Sequence, residues 1–221
     1  MVYQIVVFYL AFLLGNAVFV SAAFAAARAL GMQVLAVQIG QPAVFRRGLL
    51  TLGIVPYSAF VRVLDGRDNP RAADDPAAFN NQPRAVRVLF CLSGSAGLLA
   101  LTLALRGLDG WTSFTHGFAQ IVGGALDPTG RGADLVAGYL SFSAHAGLLA
   151  SVGTIVAKIT AGNLLPIPIL AGGQALSAAI LPNPGTESPG RWEMRLWHTA
   201  LWVLVAIAAS WAFAIYTATQ R

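Results

Sequence analysis

No charged residue lies between Arg87 and Arg106, and none occurs in residues 1–27, 135–157, 159–186 or 196–220. A helix that crosses the hydrocarbon core of a bilayer needs about 20 mainly apolar residues. Four segments reach that length, at about 4–30, 86–106, 136–158 and 196–217. Charged residues make up 10% of the 221-residue chain, against roughly 25% in an average soluble domain. That share excludes a disordered chain and argues against a soluble globule, whose surface needs more polar cover. The first segment has no basic N-terminal region and is too long for a signal-peptide core, so it reads as a retained helix. The expected class is an all-α polytopic membrane protein forming one membrane domain over residues 1–221.

The arginines set an orientation. Loop 31–85 holds Arg46, Arg47, Arg62, Arg67, Arg71 and Arg84, whereas loop 107–135 holds only Arg131. Loop 183–195 holds Arg191 and Arg195. The positive-inside rule places the first and third loops in the cytoplasm and both termini outside it. The formal net charge of +5 does not point to nucleic acid. Twelve of the 23 charges fall between residues 28 and 87, mixed in sign and without an aromatic platform.

Two stretches are apolar but interrupted. Residues 33–64 are broken by Gly40, Pro42, Gly48, Gly53 and Pro56 into β-branched pieces of 4–8 residues, which predicts short strands. At membrane level such strands must be shielded by protein or line a cavity. Residues 161–182 carry Pro166 and Pro168 after Asn163, then Gly172 and Gly173 and a further apolar run. This predicts a broken third helix that returns toward the interface. Between helices 2 and 3, Asp109-Gly110 and Asp127–Gly130 are turn signals. The apolar stretch 117–126 is too short to span and is expected at the interface.

Several stretches of the chain carry a resemblance. Leu52-Gly-Ile-Val-Pro-Tyr-Ser-Ala-Phe-Val-Arg-Val-Leu64 resembles the "LGLLPLGGYVRML" stretch of site-2 proteases, the intramembrane zinc metalloproteases. Phe79-Asn-Asn-Gln-Pro83, with Arg87 and Ser93-Gly94, resembles that family's "FNNKP…R…AGP". Asn163-Leu-Leu-Pro-Ile-Pro-Ile-Leu-Ala-Gly-Gly173 is similar to "NLLPIPxLDGG", the most specific of the three. Gly31–Val34 and Gln38–Gly40 resemble the "GxxV…SIG" that follows the family's first helix. The matches run in order over most of the chain and are nearest to the bacterial branch that cleaves anti-sigma factors. The resemblance implies that fold in a bacterial inner (cytoplasmic) membrane.

The family's chemistry is absent from the matching positions. Its zinc site is a His-Glu-x-x-His pentad on helix 1, with two His ligands one turn apart and a Glu that activates water. Aligned on Phe24, Arg28 and Gly31, the pentad falls on Phe19-Val-Ser-Ala-Ala23. Phe19 and Ala23 replace the histidines, Val20 replaces the glutamate, and Ala171 replaces the aspartate ligand of "LDGG". None of these side chains can ligate a metal or move a proton. The expectation is a pseudoprotease without cofactor or metal. Asn163, Pro166, Pro168, Gly172 and Gly173 remain as motif remnants.

Other candidates are sparse. His116, His145 and His198 are the only imidazoles, and a structural role is expected for each. Lys158 is the only lysine. Its amine either snorkels to the cytoplasmic interface or sits by the vacated zinc pocket in place of the lost cation. The small residues Ser21–Ala23 and Ala25–Ala27 suit close helix approach, either within the fold or to a partner. Trp192, Trp197 and Trp211 suit interfacial anchoring, and Trp202 either packing or a partner. The middle loop is too short for the PDZ domains that the anti-sigma-cleaving branch carries there, which need roughly 80–100 residues.

Three functions follow as expectations. The first is a structural, assembly or regulatory subunit of an inner-membrane complex, with lipid and a membrane-protein partner as its contacts. The second is a binder of a lipid, quinone or pigment in the vacated pocket around Phe19, Ala23 and Ala171. The third is an atypical hydrolase built on Ser21, Ser58 and His198, although no nucleophile-base spacing supports it.

Overall fold

A computed structural model describes residues 2–67, 69, 72, 74–180 and 190–220. The chain is mostly helical, with one small antiparallel sheet. Helix α1 (Val2–Ala29) contains no proline and has one charge, Arg28, in its last turn. At 1.5 Å per residue its 28 residues extend about 42 Å. Among the described residues three helices are long and apolar enough to cross a membrane: α1, α2 (Arg84–Leu126) and α6 (Arg191–Thr219).

The expected short strands are instead two long ones, β1 (Val34–Arg47) and β2 (Leu50–Val63). Gly40 and Gly53 bend the strands without ending them, while Gly48 (φ 58°) makes the turn between them. Val37, Gln38 and Ile39 each pair with two residues of β2, one set at Ala59–Val61 and the other at Leu50–Leu52. The ribbon therefore doubles back on itself. A Cβ at Gly53 would lie 2.3 Å from the backbone of Gly40 and Gln41. Gly40 has φ 76° and a Cβ there would meet the Val55 carbonyl oxygen at 2.7 Å. Only glycine fits either position.

The hairpin lies against α1. The Asn16 amide donates to the Pro56 carbonyl, and the Tyr9 hydroxyl donates to the Ile54 carbonyl at 3.4 Å. Its base is tied to the start of α2. The Phe79 amide donates to the Leu64 carbonyl at 2.8 Å, and the Leu64 amide donates to the Gln33 carbonyl at 2.8 Å. Asn80, buried in a 3-10 turn (Phe79–Asn81), accepts from the Gly66 amide at 2.8 Å. The described residues of 65–83 form turns and one 3-10 turn, tied down by these bonds. Asn80→Ala is expected to cost about 1–3 kcal/mol, since it strands a buried amide N–H. A thermal unfolding shift in detergent would measure it, and an unchanged midpoint would refute the tether.

Helix α2 is not the single crossing expected at 86–106 followed by a loop. It is interrupted at Gly107 (φ 57°, ψ −137°) and continues to Leu126. That backbone conformation belongs to glycine. Beyond it the chain turns back on itself, because a Cβ at Gly110 would touch the Thr102 carbonyl at 2.7 Å. In a straight helix residues eight apart are about 12 Å apart. Loop 107–135 is thus largely a helical arm, Leu108–Leu126, where an interfacial stretch was expected. It ends at Asp127, whose carboxylate accepts from the Gly130 and Arg131 amides at 3.0 and 2.9 Å. Those two donors hold the carboxyl below its ordinary range.

The span expected over 136–158 is also divided. Helix α3 (Ala133–His145) and helix α4 (Leu148–Asn163) meet at Ala146 and Gly147, both in extended backbone. Helix α5 (Ala171–Ile180) follows, and residues 181–182 of the expected broken-helix segment lie outside the described residues. The core joins α1, α2 and α4 through Val7, Ala11, Leu98, Val152 and Val156. Helix α6 is mostly exposed and docks through Trp211. The indole N–H of Trp211 donates to the Ile121 carbonyl at 3.1 Å, and its ring covers Gly124.

Candidate functional site

The positions matching the family's pentad lie where α1 meets α2 and the hairpin. Val20 and Ala23 are buried. Val20 packs with Ala27, Met32, Val34 and Val37 at the base of the hairpin. The Phe19 ring lies on Gly94, where a Cβ would come within 2.4 Å of a ring carbon. The phenyl therefore occupies space that a bare backbone leaves in α2. Ala171 is buried at the start of α5, which packs on α2.

The segment from Asn163 to Gly173 forms a tight reversal. The Leu165 amide bonds the Gly162 carbonyl, the Ile167 amide bonds Leu165, and the Leu170 amide bonds Ile167. Pro166 and Pro168 lack the N–H that would continue α4. Gly172 sits on the Leu164 carbonyl and Gly173 on the Ile167 carbonyl, with Cβ positions only 2.2 and 2.1 Å from those oxygens. These prolines and glycines shape the backbone of the reversal.

Beside Val20 a cavity of about 510 Å³ opens between α1 and the hairpin. Ala17, Ser21, Phe24, Ile39 and Leu50 line it, and Arg47 stands at its edge as the only charged lining residue. Ser58 lies on β2 with a buried hydroxyl, and His198 is exposed on α6, whose neighbours are α2, α3 and the turn Pro128–Gly132. The His145 Nδ1 lies 2.9 Å from its own helix's Ser141 carbonyl. Among the described residues no three His, Cys, Asp or Glu side chains converge on a metal position.

Lys158 points elsewhere. Its ammonium donates to the Ser113 carbonyl of the α2 arm at 2.5 Å and lines a second cavity, of about 1440 Å³. Arg106 and His116 share that wall; Phe19, Val20, Ala23 and Ala171 do not. In the sequence Arg106 stands out only as the charge that closes the uncharged run after Arg87. No protein-family model and no curated protein sequence matches this chain.

Proposed function

We propose that this chain is a non-catalytic, site-2-protease-like membrane protein that holds a partner as a structural, assembly or regulatory subunit. One observation carries the reading. Motif positions that shape the backbone keep their residue types, while Phe19, Val20, Ala23 and Ala171 are apolar where the family has ligands and a base. The packing of Phe19 on Gly94 and of Val20 under the hairpin supports it, because these residues serve as core. The chain then crosses a bacterial inner membrane four times, the α3–α4 pair making the third crossing, with both termini outside the cytoplasm. The arginine distribution supports that orientation.

The partner is a membrane protein that meets the hairpin or α6. Val44, Phe45, Ile54, Val55 and Tyr57 of the hairpin are exposed, as is Trp202 at 71%. An extended segment can pair with an open strand edge. Purification in mild detergent is expected to recover a stoichiometric membrane partner and no stoichiometric zinc. A chain that purifies alone would sink the subunit reading, and one zinc per chain would revive the hydrolase. A second reading, a lipophilic ligand, is favoured by the apolar cavity beside Val20. A co-purifying quinone or pigment released by solvent extraction would support it.

A further inference from the structure

The larger cavity has a composition that the vacated site lacks. It is walled by α1, the returning arm of α2, α3, α4 and α6, with Phe8, Phe12, Ile155 and Ile159 among its apolar lining. Its volume of about 1440 Å³ exceeds the range of about 300–1,000 Å³ usual for small-ligand pockets, so it admits a long hydrocarbon chain.

Two cations, Lys158 and Arg106, and two carboxylates, Asp109 and Asp134, stand in this mostly apolar wall. Lys158 has three N–H donors and gives one to Ser113. It makes no ion pair among the described residues, and Arg106 lines the same cavity. Arg106 donates to the Thr154 hydroxyl at 2.5 Å and lies 5.1 Å from the centre of the Phe142 ring. Its one carboxylate contact is Asp109 at 3.7 Å, whose side chain is 82% exposed. Such a pair is weak. Asp134 and His116 also line the cavity; the Lys158 ammonium gives its hydrogen bond to the Ser113 carbonyl. A cation in apolar surroundings without a carboxylate partner of its own, as Lys158 is among the described residues, favours an anionic ligand, and ionisable residues at membrane depth mark ligand sites.

We propose that this cavity binds an anionic amphiphile, its carboxylate or phosphate head on Lys158 and Arg106 and its alkyl chain among the α1 and α4 side chains. The site is separate from the vacated pocket and does not depend on the pseudoprotease reading. Radiolabelled palmitate binding to the purified full chain in detergent tests it. The expected result is saturable binding that hexadecanol, the neutral alcohol of the same length, competes for at least about tenfold less well. Lys158→Met is expected to lower palmitate affinity about tenfold or more, and Lys158→Arg to retain it. Displacement by phosphatidylglycerol but not phosphatidylcholine would assign the site to a membrane phospholipid. Failure of phosphatidylglycerol to displace palmitate would assign it to a free fatty acid. Equal competition by hexadecanol, absence of binding, or an unaltered Lys158→Met would overturn the proposal. The palmitate–hexadecanol comparison uses the unsubstituted chain and stands even if Lys158→Met does not fold.

Discussion

Gly173→Ala is expected to lose most of the folded protein. The added methyl would lie 2.1 Å from the Ile167 carbonyl oxygen and 2.7 Å from the Pro168 nitrogen, both backbone atoms. Pro166 and Pro168 stiffen that turn, so the obstacle cannot swing aside as a side chain would. Overpacking against side chains costs typically about 1–3 kcal/mol. Here the helix α5 must leave the turn, and a loss of about 3 kcal/mol or more is expected. Gly172→Ala, 2.2 Å from the Leu164 carbonyl, should behave alike. Gly138→Ala is the control, since nothing lies within 4 Å of its Cβ position. It should be neutral or stabilising by up to about 1 kcal/mol through helix propensity. Unfolding midpoints in detergent measure all three. Equal behaviour of Gly173→Ala and Gly138→Ala would refute the close approach.

The second large effect lies at the matching pentad. Phe19→Ala removes a half-buried ring that fills the gap over Gly94 and is expected to cost about 2–3 kcal/mol. Gly94→Ala alone should cost about 1–3 kcal/mol, because its methyl would lie 2.4–2.7 Å from three atoms of the same ring. Together they should cost less than their sum, since the methyl enters the space the ring has left. A coupling of about 1 kcal/mol or more is expected from the double-mutant cycle. Strict additivity would show that Phe19 and Gly94 do not fill one space. The cycle bears on function because it asks whether position 19 now serves packing.

Much of the helical architecture was legible in the sequence because lipid imposes a simple rule. A crossing segment must be long, apolar and nearly free of charge, and α1, the first arm of α2, and α6 obey it. The third segment obeyed the rule by composition yet divides at Ala146 and Gly147. Hydropathy does not register a backbone break in an apolar run. The hairpin was legible as strands but not as one bent ribbon, since the close approach of Gly53 to the Gly40 backbone depends on how the two strands fold over each other.

The site divides in the same way. Loss of ligand chemistry at Phe19, Val20, Ala23 and Ala171 is a statement about side-chain atoms, and the sequence alone makes it once the resemblance is accepted. Where Lys158 points is a statement about neighbours. Its partner carbonyl at Ser113 is 45 residues away, on an arm whose return depends on one glycine torsion at Gly107. Trp211, expected at an interface, fixes α6 to α2 through a backbone carbonyl that no local pattern reveals.

The sequence by itself determined the long apolar helices and the absence of reactive groups at the resembling positions, because both follow from residue chemistry. The tertiary structure alone decided that the chain reverses at Gly107, that Phe19 fills the space over Gly94, and that Lys158 and Arg106 share one cavity. Those outcomes depend on contacts between elements remote in sequence, where the shape of the backbone selects which side chains meet.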